Sequence, residues 1–173
     1  MINVKETKKE FLMFLLGEPI KKVLDIGCGK GLMSKFFAKK AKVIGIDTRK
    51  IMEDIENFEF REGDIRQANF DKENDLIIAS LILHIFDKNE ARKIIERMKQ
   101  ATSDSGYNLL ICMSDEDTLA KQNPNKFYPS FQELLEIYKD WNLIKKVQGI
   151  TEVEEHGNLG PHKHDIIFAL FKK

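Results

Sequence analysis

The chain has 173 residues, 42% hydrophobic and 32% charged, with 28 basic residues against 28 acidic. That length suits one domain with a proper core, and a net charge of zero argues against a chain-wide basic footprint for nucleic acid. No apolar run approaches the roughly 20 residues of a membrane span, and two cysteines, Cys28 and Cys112, form neither a disulfide framework nor a zinc site by themselves.

The opening stretch, MINVKETKKEF, lacks the apolar core and cleavage site of a secretory signal, so a reducing cytoplasm is the expectation. A helix is predicted over Thr7–Leu16, with a capping box in Thr7 and Glu10 and a stop at Gly17 and Pro19. Lys22–Ile26 reads as a short strand. Leu32–Ala41 reads as a helix burying Leu32, Phe36 and Phe37. Val43–Ile46 is a second strand, Ile51–Ile55 a short helix and Phe58–Arg61 a third strand. Asp75–Leu83 is a continuous apolar run, which fits a strand covered on both faces. Asp87 and Glu90 cap the next helix, whose apolar side carries Ala91, Ile94, Ile95 and Met98 at helical spacing. Tyr107–Met113 is another buried strand. Ser130 and Glu133 cap a helix showing Leu134, Leu135 and Tyr138. Two strands close the chain, over Leu143–Val153 and Asp165–Phe171.

Alternating strands and helices imply a Rossmann-like α/β fold: a doubly wound, mostly parallel, seven-stranded sheet. The last two strands have no helix between them, so a C-terminal antiparallel hairpin is expected. One domain spans 1–173, with an N-terminal cap helix (1–20), a cofactor-binding half (22–113) and a substrate-side half (114–173).

Ligands of such sheets bind outside the carboxyl ends of the strands. There the chain reads VLDIGCGKG, residues 23–31. Gly27, Gly29 and Gly31 allow open dihedrals and let a ligand touch the main chain. Dinucleotides prefer G-x-G-x-x-G; here the position of the third glycine is Leu32, and Asp25 places negative charge at the mouth. An acid there suits a ligand carrying positive charge.

This pattern resembles the first motif of class I S-adenosylmethionine-dependent methyltransferases, and the resemblance runs from about Val23 to Lys173. It implies S-adenosyl-L-methionine as cofactor, held by Asp25, Gly27, Cys28, Gly29 and Gly31. Asp47, 20 residues past Gly27, closes the second strand; with Thr48 it would meet the ribose diol. Asp64, in EGD, would meet the adenine amino group, with Ile65 packing on the ring. The stretch from Ser80 to His84 would line the methyl end. Cys28 is read as a small residue whose backbone matters, since no paired base is visible for a nucleophile.

The acceptor is expected to be a small molecule, because no (D/N/S)-P-P-(Y/F/W) motif follows the fourth strand and no appended domain is apparent. No membrane or nucleic-acid partner and no bound metal are expected. Residues 114–131 read as a loop whose Phe127 and Tyr128 would close over a ligand, and the N-terminal helix would supply another wall. The loop between the last strands holds His156, His162 and His164. Extended at PHKHD, His162 and His164 point to one side. These imidazoles are either solvated loop residues or take a proton, orient a substrate or bind a metal. His84 either packs the strand–helix junction or touches substrate. The tail from Phe131 onward is similar to tellurite-resistance-type methyltransferases, which implies a thiol, chalcogen oxyanion or other heteroatom as acceptor. The alternatives are an NAD(P)-dependent oxidoreductase and a non-catalytic S-adenosylmethionine-binding module.

Overall fold

The computed structural model describes residues 1–51, 53–155 and 160–173. Helix α1 (Val4–Leu16) leads into strand β1 (Lys22–Ile26), followed by β2 (Lys42–Asp47), β3 (Phe58–Glu62) and β4 (Asn74–Ser80). Helix α2 (Lys88–Ala101), β5 (Thr102–Met113), α3 (Thr118–Gln122), α4 (Phe131–Ile137) and β6 (Asn142–Ile150) come next. A two-residue ribbon, β7 (Glu154–Glu155) and β8 (Pro161–His162), precedes β9 (Asp165–Lys172).

Seven of these strands form one sheet in the order β3-β2-β1-β4-β5-β9-β6. Pairing from β3 across to β5 is parallel, and β9 runs antiparallel to both β5 and β6. The central strands are apolar on both faces because both faces are covered. One face packs under α1 through Phe11, Leu12 and Leu15, together with Phe37 and Phe168. The other packs under α2 and α4 through Ile94, Ile95, Met98, Leu134 and Tyr138. Each such aliphatic side chain, once buried, contributes roughly 1.5–3 kcal/mol. The expected mostly parallel sheet with its antiparallel close is therefore present.

Several local expectations are corrected. Helix α1 starts earlier than Thr7: Asn3 is its N-cap, its side chain accepting from the Glu6 amide at 3.1 Å, and Thr7 is buried inside the first turns. After the glycine turn, Leu32–Ala41 is not an α-helix; only Ser34–Phe36 form a 3-10 turn. Ser34 takes an inward place, so Met33, Phe37, Ala38 and Ala41 face the core, while Leu32 and Phe36 are 59% and 50% exposed. Ile51 and Glu53–Ile55 form no helix either; Ile51 is exposed, so a helix there would gain little burial to offset its nucleation cost. Strand β4 ends at Ser80 rather than Leu83, because Leu81 adopts φ 52° and Leu83–Ile85 wind into a 3-10 turn. Strand β6 stops at Ile150, short of Val153.

The 114–131 segment is not loop throughout, since it contains α3, capped by Asp117. Phe127 is 1% exposed and belongs to the core under α2, so it is no lid ring. Ser130 caps α4 as expected, accepting from the Glu133 amide at 3.0 Å. No helix among the described residues is long and apolar enough to cross a membrane.

Candidate functional site

Strand β1 delivers Asp25 into the middle of the sheet, between Gly45 and Ile78 of its neighbours. The chain then turns on glycines with φ of 67° (Gly27), 51° (Gly29) and 61° (Gly31). These values are cheap only for a residue without Cβ. A Cβ on Gly27 would lie 2.4 Å from Ile82 Cγ1, so Ile82 locks that corner from the β4 side. A Cβ on Gly29 would meet nothing within 4 Å: it faces open space at the ligand end of the sheet. The Gly27 and Cys28 amides donate to the Ile46 carbonyl at 2.8 and 3.1 Å, which ties the turn to β2.

Asp47, at the end of β2, points its carboxylate back to this turn and accepts from the Gly29 amide at 2.9 Å. The Thr48 hydroxyl reaches Asp47 Oδ1 at 3.5 Å. Asp25 is buried, and burial pushes its carboxyl up to about 7; the Ser34 hydroxyl works against that shift, and the nearby Asp47 adds to it. No basic side chain pairs with Asp25 among the described residues. The Cys28 thiol is pushed up to about 12, chiefly by burial and then by the same two carboxylates, so it is no nucleophile. Its sulfur lies over Gly45, where a Cβ would come within 2.8 Å of it.

Asp64 stands past β3, bound side-on by Arg66 through contacts of 2.6–3.1 Å, which hold its carboxyl below the usual range. Arg66 in turn reaches Glu90 at 3.1 Å. Ile65 is buried behind Asp64 in the core. A cavity of about 340 Å³ lies here, lined by Ile46, Glu62, Gly63, Asp64 and Ala68 among others. Ser80 is half-buried at the end of β4. The four stations named from the sequence thus come together at one end of the sheet.

A second group stands where the chain enters α3 and β9. His164, buried just before β9, meets Asp117 through Nδ1 and Oδ2 at 2.9 Å. Asp117 Oδ2 also accepts from the Asp165 amide at 3.0 Å, and Oδ1 from the Leu119 amide at 2.8 Å. The His162 ring lies 4.8 Å from that of His164, and the His84 ring 6.1 Å from that of Tyr128. Burial, then the neighbouring His164, hold His84 below the ordinary imidazole range, while Asp117 pulls the other way. His84, Tyr128, His162 and His164 are therefore brought to one place, whereas His156 lies outside the described residues. Among the described residues no group of three His, Cys, Asp or Glu side chains is arranged to hold a metal.

Asp117, Ser34 and Arg66 were not reached from sequence, and Ile82 only as part of the Ser80–His84 stretch. Asp117 carried one signal, its place before a short helical stretch; nothing linked it to a histidine 47 positions later.

The family model described as "Tellurite resistance protein TehB" matches residues 16–165. The chain belongs to the TehB family. A curated relative from Haemophilus influenzae, named a probable S-adenosyl-L-methionine-dependent methyltransferase TehB, is 27% identical over 151 residues, covering 79% of this chain and 52% of the relative. A ribosomal protein L11 methyltransferase from Nitratiruptor is 31% identical over 102 residues, covering 54% of this chain and 35% of that protein. The chain spans about half the length of the curated TehB relatives it matches. Among solved structures, TehB from Haemophilus influenzae superposes with a TM-score of 0.77 at 23% identity, covering 95% of this chain and 62% of that one. The N-methyltransferase NodS from Bradyrhizobium japonicum, solved with S-adenosyl-l-homocysteine, gives 0.75 at 16% identity, covering 99% and 88%. These likenesses establish the methyltransferase fold in this TehB-family chain.

Proposed function

We propose that this chain transfers a methyl group from S-adenosylmethionine to a small-molecule acceptor. The reading rests first on Asp25: a buried carboxylate under a glycine turn, without a basic partner among the described residues, whose charged form is costly until a cation arrives. A ligand with a sulfonium and an ammonium meets that need, and a diphosphate does not. Only a 3-10 turn follows the glycines, so a pyrophosphate would find no α-helix N-terminus there. The names of the TehB relatives point the same way.

The residues fit the ligand by chemistry. Gly29 leaves space against its main chain. Asp47 offers a carboxylate to a vicinal diol, exchanging its bond to the Gly29 amide for the ligand's hydroxyls. Asp64 and Ile65 would serve the adenine; to do so Asp64 has to share or release Arg66. Bound there, S-adenosylmethionine supplies an electrophilic methyl on a cationic sulfur. Residues 22–113 then form the cofactor half, and 114–173 bring the acceptor side, with Tyr128, His162 and His164 opposite His84. Positioning does most of the catalytic work in such a displacement.

The test is transfer of isotopically labelled methyl from S-adenosylmethionine to a panel of thiols, amines, selenite and tellurite. Label in any acceptor, lost on Asp47→Ala, supports the reading. Tight cofactor binding with no labelled product across the panel would favour a sensor or partner role instead.

A further inference from the structure

A second cavity, of about 800 Å³, opens on the α1 side of the sheet and has no part in the reading above. Helix α1 lines it with Leu12, Met13 and Leu16. Leu32, Met33 and Phe36 line it from the chain that follows Gly31, and Glu152, Val153 and Glu154 from the chain that follows β6.

The cavity has fixed walls. The Ile2 amide donates to the Ile150 carbonyl at 2.8 Å, which ties the start of α1 to the end of β6. A Cβ on Gly149 would come within 2.8 Å of Ile2 Cγ2, so the two segments lie tight against each other. Phe11 and Leu15, fully buried, root the same helix in the core.

Its lining is unusual for a free surface. Met13, Leu32, Phe36 and Val153 are exposed large apolar side chains, and all four gather around this one hollow. Such residues scattered singly need no explanation, whereas a contiguous group marks a binding site. The group lines a concavity rather than a flat face, and its volume falls within the roughly 300–1,000 Å³ of small-molecule pockets. The shape therefore selects a small molecule over a protein surface.

The charges select its sign. Lys5, Lys8 and Lys9 also line the cavity, at the i, i+3 and i+4 spacing that puts them on one face of α1. Lys8 is half-buried and makes no hydrogen bond or ion pair among the described residues. Burial holds its ammonium below the ordinary lysine range, and Glu154 pulls the other way. A cation drawn towards apolar side chains is costly until an anion meets it. Asn3 and Val4, at the positive end of the α1 dipole, line the cavity too. Two acids oppose this: Glu152, which is exposed and so screened by solvent, and Glu154, with which an incoming anion shares Lys8.

We propose that this cavity binds a small apolar carboxylate, with Lys8 meeting the charge and Leu12, Met33 and Phe36 holding the apolar body. The site goes beyond the methyl-transfer reading and does not need it.

Decanoate, decanol and decylamine are titrated calorimetrically, below micelle-forming concentrations, into the parent chain, Lys8→Met and Phe36→Ala. Melting and S-adenosylmethionine titration run alongside, and ¹⁵N spectra locate the ligand. Expected are one decanoate per chain, bound at least about tenfold more tightly than decylamine, with amide shifts in α1, residues 32–36 and 152–154. Lys8→Met, with unchanged melting, loses about tenfold on decanoate and less than about twofold on decanol, while Phe36→Ala weakens both. Decylamine bound as tightly as decanoate, an unaltered decanoate affinity in Lys8→Met, or shifts centred on residues 61–69 each overturns the proposal. So does sedimentation of the protein with phosphatidylglycerol vesicles, or as a dimer, when decanoate itself does not bind. Loss of S-adenosylmethionine binding with decanoate binding intact would fault the methyltransferase reading and leave this site standing.

Discussion

The Asp47 carboxylate, from the end of β2, accepts from the Gly29 amide at the tip of the β1 turn at 2.9 Å. One acid thereby ties the turn to β2, and in the proposed function the same carboxylate receives the ribose. Gly27 and Gly29 share the left-handed region but differ in surroundings.

That difference separates folding from binding. Gly27→Ala would drive a methyl into Ile82, and should cost about 1–3 kcal/mol or more and lower Tm visibly. Gly29→Ala meets open space, so its folding cost is only the dihedral strain of about 1 kcal/mol, while its methyl intrudes on the cofactor. Melting curves and cofactor titrations on the two variants should fall in opposite order; matching losses in both would mean that the turn does not line the ligand.

Asp25 predicts an unusual pH dependence. Its carboxyl stands at about 7 in the folded chain, well above the ordinary 3.8, because it is buried. Between those values the folded state holds the extra proton, so Asp25's own contribution to stability is highest below about pH 4, falls as pH rises towards about 7 and is flat above. The shift corresponds to at most about 4 kcal/mol. Asp25→Asn should therefore raise Tm more at pH 8 than at pH 4, while weakening binding of the cationic cofactor. Affinity for S-adenosylmethionine in the parent should itself rise between pH 6 and pH 8. A variant equally stabilised at both pH values would remove Asp25 from this role.

How much of this was readable beforehand follows from the range of the forces involved. The central strands β1, β2 and β4 and the second half of β5 were legible because they are apolar runs covered on two faces, and Asp25, Asp47 and the glycines because their spacing is local. The helix expected after the turn failed because Ser34, not Leu32, sits inward, a choice set by tertiary packing. Asp64 was named from its place in EGD, but its capture by Arg66 depends on rotamers that spacing does not encode. The Asp117–His164 pair was invisible because the fold alone joins two positions so far apart.

A control lies in the core under α2 and α4. The Asn108 side chain donates to Tyr138 Oη at 3.0 Å and accepts from Thr102 at 2.8 Å, all buried, while Tyr138 stacks on Phe171 at 4.3 Å. Tyr138→Phe should cost about 1–3 kcal/mol by stranding the Asn108 amide, with cofactor affinity unchanged. Denaturant unfolding and a titration check the two halves of that statement.

Both cysteines should be chemically silent. Burial pushes Cys28 and Cys112 up to about 12, so at pH 8 only about one thiol in 10⁴ is ionised. Iodoacetamide should label neither in the folded protein and both after denaturation. Rapid labelling of Cys28 would reopen a nucleophilic role.

The most direct measurement is calorimetric titration of the parent chain and of Asp47→Ala with S-adenosylmethionine and with NAD. The account predicts saturable binding of S-adenosylmethionine, no heat from NAD, and at least about a tenfold loss of affinity in the variant with Tm within about 2 °C of the parent. Binding of NAD in preference, or an Asp47→Ala variant that binds S-adenosylmethionine as well as the parent does, would contradict it.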